Sequence, residues 1–117
     1  MKAAYLKAPY QFEVRDVTLR DIKEDEVLVK VRACGFCGHD NILASYAAKD
    51  WEPFGHEFSG TIVKTGDRVE NVKVGDNIVV ETSTFNPLAT CSLNGHPEWD
   101  LAGPSFMEMK DNSMGFA

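Results

Sequence analysis

Cysteine, histidine and carboxylate side chains gather in two short stretches of the sequence. The first is Cys34-Gly35-Phe36-Cys37-Gly38-His39-Asp40 and the second is Gly55-His56-Glu57. These residue types ligate zinc or orient its ligands. Other chemistries compete for them. Cys34 and Cys37 form a C-x-x-C pair suited to a redox dithiol, but the βαβ context of a thioredoxin-type site is absent. Covalent haem attachment needs a histidine directly after the second cysteine, and Gly38 stands there. A structural zinc knuckle needs four ligands, commonly in two paired clusters, and a second pair is missing. Each residue alone also has a plainer use: Cys34 as a small buried side chain, His56 as a hydrogen-bonded core histidine.

For the two clusters to act together, they must sit at neighbouring strand ends. Glu26 to Ala33 reads as the clearest strand, with Val27, Val29, Val31 and Ala33 alternating against Leu28, Lys30 and Arg32. It leads directly into the first cluster. Phe58 to Thr65, which follows the second cluster, and Asn77 to Glu81 are further strands rich in β-branched residues. Ala3 to Leu6 and Phe12 to Val17 form an opening pair. Gly66-Asp67 and Gly75-Asp76 supply turns. One short helix is expected over His39 to Ala47, where Asn41-Ile42-Leu43-Ala44 replaces the β-branched texture. Short strands, frequent turns and little helix predict a mainly β barrel or sandwich. The stretch after Thr82 mixes Asn, Pro, Gly, Ser and Met without period, so a long loop is expected near 84–114.

The chain has 117 residues, 44% of them hydrophobic and 26% charged, which suits one globular domain and argues against disorder. Its formal net charge of -6 argues against nucleic acid as a partner. No apolar run approaches the roughly 20 residues that cross a bilayer, and no membrane partner is expected. Met1 to Lys7 is followed at once by Pro9 and charged residues, without a signal peptide's apolar stretch. Three cysteines cannot all pair within one chain, so a reducing, cytoplasmic setting is expected.

In combination the motifs are far more specific than any one of them. The order strand, A-C-G-F-C-G-H-D, G-H-E-F-S-G, V-G-D-N-I-V-V resembles the zinc-containing medium-chain dehydrogenase/reductase family of alcohol and polyol dehydrogenases. The resemblance runs from Met1 to Ala117. It implies a GroES-like, partly open β barrel with one or two short helices, the N-terminal catalytic-domain portion of such an enzyme. It further implies that Cys37 and His56 are ligands of a catalytic Zn, that Asp40 orients the ligand histidine, and that Glu57 lies behind the metal. Cys34 matches no ligand of the family, which leaves packing as its role. The complete enzyme would move a hydride between an alcohol or polyol and NAD(P), with zinc as Lewis acid.

Three departures from the family pattern set further expectations. His39 stands where Ser or Thr is usual, and an imidazole there could transfer the substrate proton, contact substrate, serve as an extra metal ligand or face solvent. The stretch around Cys91, with Asp100 beyond it, lacks the four cysteines of a structural-zinc lobe, so no structural Zn is expected there. No G-x-G-x-x-G occurs, so the dinucleotide-binding unit and its cofactor-binding residues are not in this sequence, nor is the family's third zinc ligand. The chain alone is therefore expected to be inactive. Open strand edges would favour a homo-oligomer. Two alternatives stand beside the enzyme: a non-catalytic GroES-like interaction module and a zinc-free reductase. The Cys37 and His56 pair argues against the latter. Tyr46, Trp51 and Phe54 either line a pocket near the metal or pack as core.

Overall fold

The computed structural model describes residues 1–81, 86–100 and 115–117. Among the described residues, two three-stranded antiparallel sheets make up the β structure. In the first, β1 (Lys2–Lys7) lies between β2 (Gln11–Asp16) and the two-residue β4 (Glu52–Pro53). In the second, β5 (Glu57–Thr65) lies between β3 (Val27–Gly35) and β6 (Asn77–Val79). The two sheets do not close on each other, in keeping with the partly open GroES-like barrel. Every predicted strand is present with ends shifted by a few residues, and β4 is an addition too short to show a period.

The alternation that marks β3 holds from Val29 to Arg32, after a first slip of register at Leu28–Val29 where Leu28 is partly buried too, and then reverses. Val27, Val29 and Val31 are partly buried and Lys30 and Arg32 exposed, but Ala33 is exposed and Cys34 turns inward. The pairing with β5 slips between Val31 and Ala33, the signature of a bulge. One extra residue in a strand of period two exchanges its faces, so Cys34 rather than Ala33 points inward. Gly60 makes the close approach near the bulge possible: a Cβ there would lie 2.5 Å from Val29 Cγ1 and 2.6 Å from the Lys30 carbonyl oxygen.

The predicted helix is two pieces. A five-residue α1 (Gly38–Ile42) runs into a wider π-type turn over Leu43–Ala47. The Ala48 N–H donates to the Leu43 carbonyl, five residues back. That wide turn brings Leu43, Ala44 and Ala48 together against Leu6 and Phe54, which form the main buried cluster. The β1–β2 turn locks onto the same unit, with Ala8 N–H donating to the Ala48 carbonyl and Tyr10 N–H to that of Ala44.

The stretch expected to be a long loop over 84–114 contains a short α2 (Thr90–Leu93) and a 3-10 turn (Pro97–Trp99) in its described part. Residues 82–85 and 101–114 fall outside the described residues. The His96 N–H donates to the Cys91 carbonyl, and the His96 ring stacks on Trp99 at 3.9 Å. These local bonds give regular form to a segment with no hydrophobic period. Among the described residues no helix is long and apolar enough to cross a membrane.

Candidate metal centre

The register of the second sheet brings the two clusters together. Gly35 at the end of β3 pairs with Glu57 at the start of β5. Cys37 lies two residues beyond that pair and His56 one residue before it. Residues 19 apart in sequence are thereby neighbours, with Cys37 Sγ 3.2 Å from His56 Nε2.

Cys37 is the N-cap of α1, with extended backbone at φ -99°, ψ -178°. Its sulfur accepts the His39 N–H at 3.3 Å, while its own N–H donates to Asp40 Oδ2 at 3.0 Å. This is the reciprocal arrangement of a capping box, with a thiol in place of the usual hydroxyl and Asp in place of Glu.

Asp40 is fully buried and joins the two clusters. Besides Cys37 N–H, its carboxylate accepts the Gly55 N–H at 3.3 Å and lies 3.7 Å from His56 Nδ1. His56 is itself buried. A carboxylate on the Nδ1 side favours the tautomer whose Nε2 lone pair faces Cys37. The 3.7 Å separation is longer than a hydrogen bond, so the attraction is electrostatic until the ring tilts closer.

His39 stands on the exposed rim, its ring 5.9 Å from that of His56. One donor atom each from Cys37, His39 and His56 lies within 4.8 Å of the other two. Glu57 is exposed, does not join this group, and lines a shallow cavity of about 370 Å³ with Phe58 and Val79. The donor set suits zinc: a thiolate at about 2.3 Å and an imidazole at 2.0–2.1 Å from a tetrahedral ion stand roughly 3.5 Å apart. The observed 3.2 Å needs only a small opening.

Cys34 packs against Gly55 and Gly115. A Cβ on Gly55 or Gly115 would fall 2.8 Å and 2.7 Å from its sulfur. Burial, reinforced by the nearby Asp40 charge, pushes its thiol up to about 11. A thiol held protonated is a packing group, as expected for Cys34. Of the three aromatics, Phe54 is core, against Phe116 at 4.6 Å, and Trp51 lies under the Arg15 guanidinium. Tyr46 is 63% exposed, so the three form no common pocket wall. Asp100 caps backbone instead, accepting the Asn86 N–H.

The chain's last residues are an unanticipated support. Gly115 N–H donates to the Gly55 carbonyl, Phe116 N–H to that of Phe54, and Ala4 N–H to that of Phe116. They zip the segment before His56 to β1. The signal was two small or aromatic residues, Gly115 and Phe116, with no period to say where they dock.

A family model for the alcohol dehydrogenase GroES-like domain matches residues 23–114. The chain belongs to that family. Among curated relatives, this GroES-like domain is 44% identical over 85 residues to D-arabinitol dehydrogenase 1 of Uromyces fabae, covering 71% of the chain and 24% of the relative. Galactitol-1-phosphate dehydrogenase from Escherichia coli superposes with a TM-score of 0.81 at 26% identity, over 100% of this chain and 34% of that one. An NADP-bound candidate zinc-binding dehydrogenase from Sinorhizobium meliloti 1021 does so with a TM-score of 0.76 at 27% identity, over 94% and 33%. The domain thus spans about a quarter of the first curated relative's length and a third of these structures.

Proposed function

We propose that this GroES-like domain is the metal-holding portion of a zinc-dependent alcohol or polyol dehydrogenase, with Cys37 and His56 as zinc ligands. The observation that carries the reading is the approach of Cys37 Sγ to His56 Nε2, with the buried Asp40 behind both. The bound cation supplies Lewis acidity, favouring negative charge on the substrate oxygen during hydride transfer.

The chain's own contribution is positioning. Asp40 anchors the start of α1 through Cys37 N–H and the approach to β5 through Gly55 N–H, so thiolate and imidazole keep a common origin. The same carboxylate, 3.7 Å from Nδ1, favours the His56 tautomer protonated there. Glu57 follows His56 directly in the chain, and the family pattern gives it the place behind the metal. His39 presents an imidazole where a hydroxyl is usual, and two roles compete for it: proton carrier and metal donor. The nicotinamide cofactor, NAD or NADP, would be held by residues outside these 117.

Substrate class follows from the relatives, which act on D-arabinitol and galactitol 1-phosphate by name. The test is elemental analysis with an activity assay. The purified chain should carry about one zinc, and Cys37→Ser should lose it. Joined to a nucleotide-binding unit, it should form reduced nicotinamide from a polyol, and Cys37→Ser should abolish this. Polyol oxidation undiminished in Cys37→Ser would refute the proposal.

A further inference from the structure

We propose that His39 is a metal donor, so that Cys37, His39 and His56 form a three-point site carried entirely by this chain. The proposal rests on the reading of Cys37 and His56 as ligands and adds the third protein donor that the sequence had left outside its 117 residues.

Geometry is the first argument. The three donor atoms lie within 4.8 Å of one another. Tetrahedral zinc with sulfur and nitrogen ligands needs edges of roughly 3.5 Å. The longest separation must therefore close by at most about 1.3 Å, a displacement that rotation of an exposed imidazole about its two side-chain torsions supplies. His39 is exposed at the rim of the site.

The second argument explains how two residues only two apart can share an ion. On a continuous helix, positions i and i+2 diverge. Cys37 is not helical: its extended backbone lets the sulfur fold back over the first turn, where it already accepts the His39 N–H. The peptide that brings Sγ to His39 also brings the His39 side chain to the rim of the same site. A residue at position 38 or 40 has no such placement: Gly38 offers no donor side chain, and the Asp40 carboxylate is committed to Cys37 N–H and Gly55 N–H.

Burial supplies the third. His56 is buried and Cys37 partly so, forming a fixed floor, while His39 closes from the solvent side. One thiolate and two imidazoles suit zinc, and three protein donors leave the fourth position of a tetrahedral ion for substrate or water. A ring nitrogen engaged on the metal is no longer free to carry the substrate proton, so the donor role displaces the carrier role.

The test uses the 117-residue chain as it stands. Zinc affinity is measured by competition with a chelating indicator, and X-ray absorption of the zinc-loaded chain counts imidazoles. Circular dichroism checks that His39→Gln, Cys37→Ser and His56→Gln remain folded. Two imidazoles are expected in the wild type and one in His39→Gln, with affinity lower by about a hundredfold or more, beyond the loss typical of a residue that only supports a ligand. One imidazole in the wild type, or a His39→Gln affinity within about twofold, would overturn the proposal. If Cys37→Ser and His56→Gln lose zinc while His39→Gln keeps it, His39 alone is misassigned and the dehydrogenase reading stands. If zinc binding survives Cys37→Ser and His56→Gln, that underlying reading fails with it. A wild-type chain that takes up no zinc refutes a three-donor site on this chain.

Discussion

Replacing Asp40 tests the core of the argument, because one buried carboxylate is held to serve both fold and metal. Its oxygens accept Cys37 N–H at 3.0 Å and Gly55 N–H at 3.3 Å, and the side chain is 0% exposed. Asp40→Ala strands two backbone donors, that of Gly55 buried and that of Cys37 partly so. At about 1–3 kcal/mol for each, the expected loss is about 2–6 kcal/mol, a large share of a small domain's stability. Asp40→Asn keeps one acceptor but turns an amide N–H₂ toward the second donor, for a loss of about 1–3 kcal/mol. It also removes the charge facing His56 Nδ1, so zinc affinity should fall about 10–100-fold. Urea unfolding of the metal-free chain reads the structural part without the contribution of bound metal. Competition titration of folded Asp40→Asn then reads the metal part. If Asp40→Asn is as stable as wild type to within about 0.5 kcal/mol and binds zinc equally well, the joint role of Asp40 is wrong.

Two further outcomes follow from neighbouring geometry. Gly55 has φ +89° and would place a Cβ 2.3 Å from the Phe116 ring, so Gly55→Ala should destabilise the chain by about 1–3 kcal/mol in thermal unfolding and loosen the 54–55 to 115–116 zipper. The Cys34 thiol, pushed up to about 11 by burial, should alkylate slowly at pH 8 and gain reactivity only as pH nears 11. Because the folded value lies above the unfolded one, the unfolded chain releases this proton first. Stability should therefore fall between about pH 9 and 11. Mass-resolved alkylation that labels Cys34 as fast as an unfolded control would contradict this.

The fold was largely legible because a half-buried strand advertises itself by a period of two. Val27, Val29 and Val31 announce β3, and the turn residues Gly66-Asp67 and Gly75-Asp76 bound β5 and β6. The period failed where pairing changed it. The slip between Val31 and Ala33 reversed the faces, and nothing in Lys30-Val31-Arg32-Ala33 marks a bulge. The short helical pieces over 90–99 escaped for a related reason: their order comes from local backbone bonds and a His96–Trp99 stack, neither of which leaves a hydrophobic repeat.

At the site, residue types alone offered candidate donors among competing chemistries, and the resemblance to the family singled out Cys37 and His56. Cys37 and His56 have the chemistry of zinc ligands, and a carboxylate at 40 has that of a partner for them. Only the folded chain decided which donors meet. The pairing of Gly35 with Glu57 put residues 37 and 56 side by side, and the extended backbone at Cys37 brought His39 to the same rim. It also sent Cys34 into packing and Tyr46 into solvent. Side-chain chemistry is a property of each residue and is read one letter at a time. Proximity depends on strand register and on backbone angles at a few junctions, and those are set by contacts across the whole molecule.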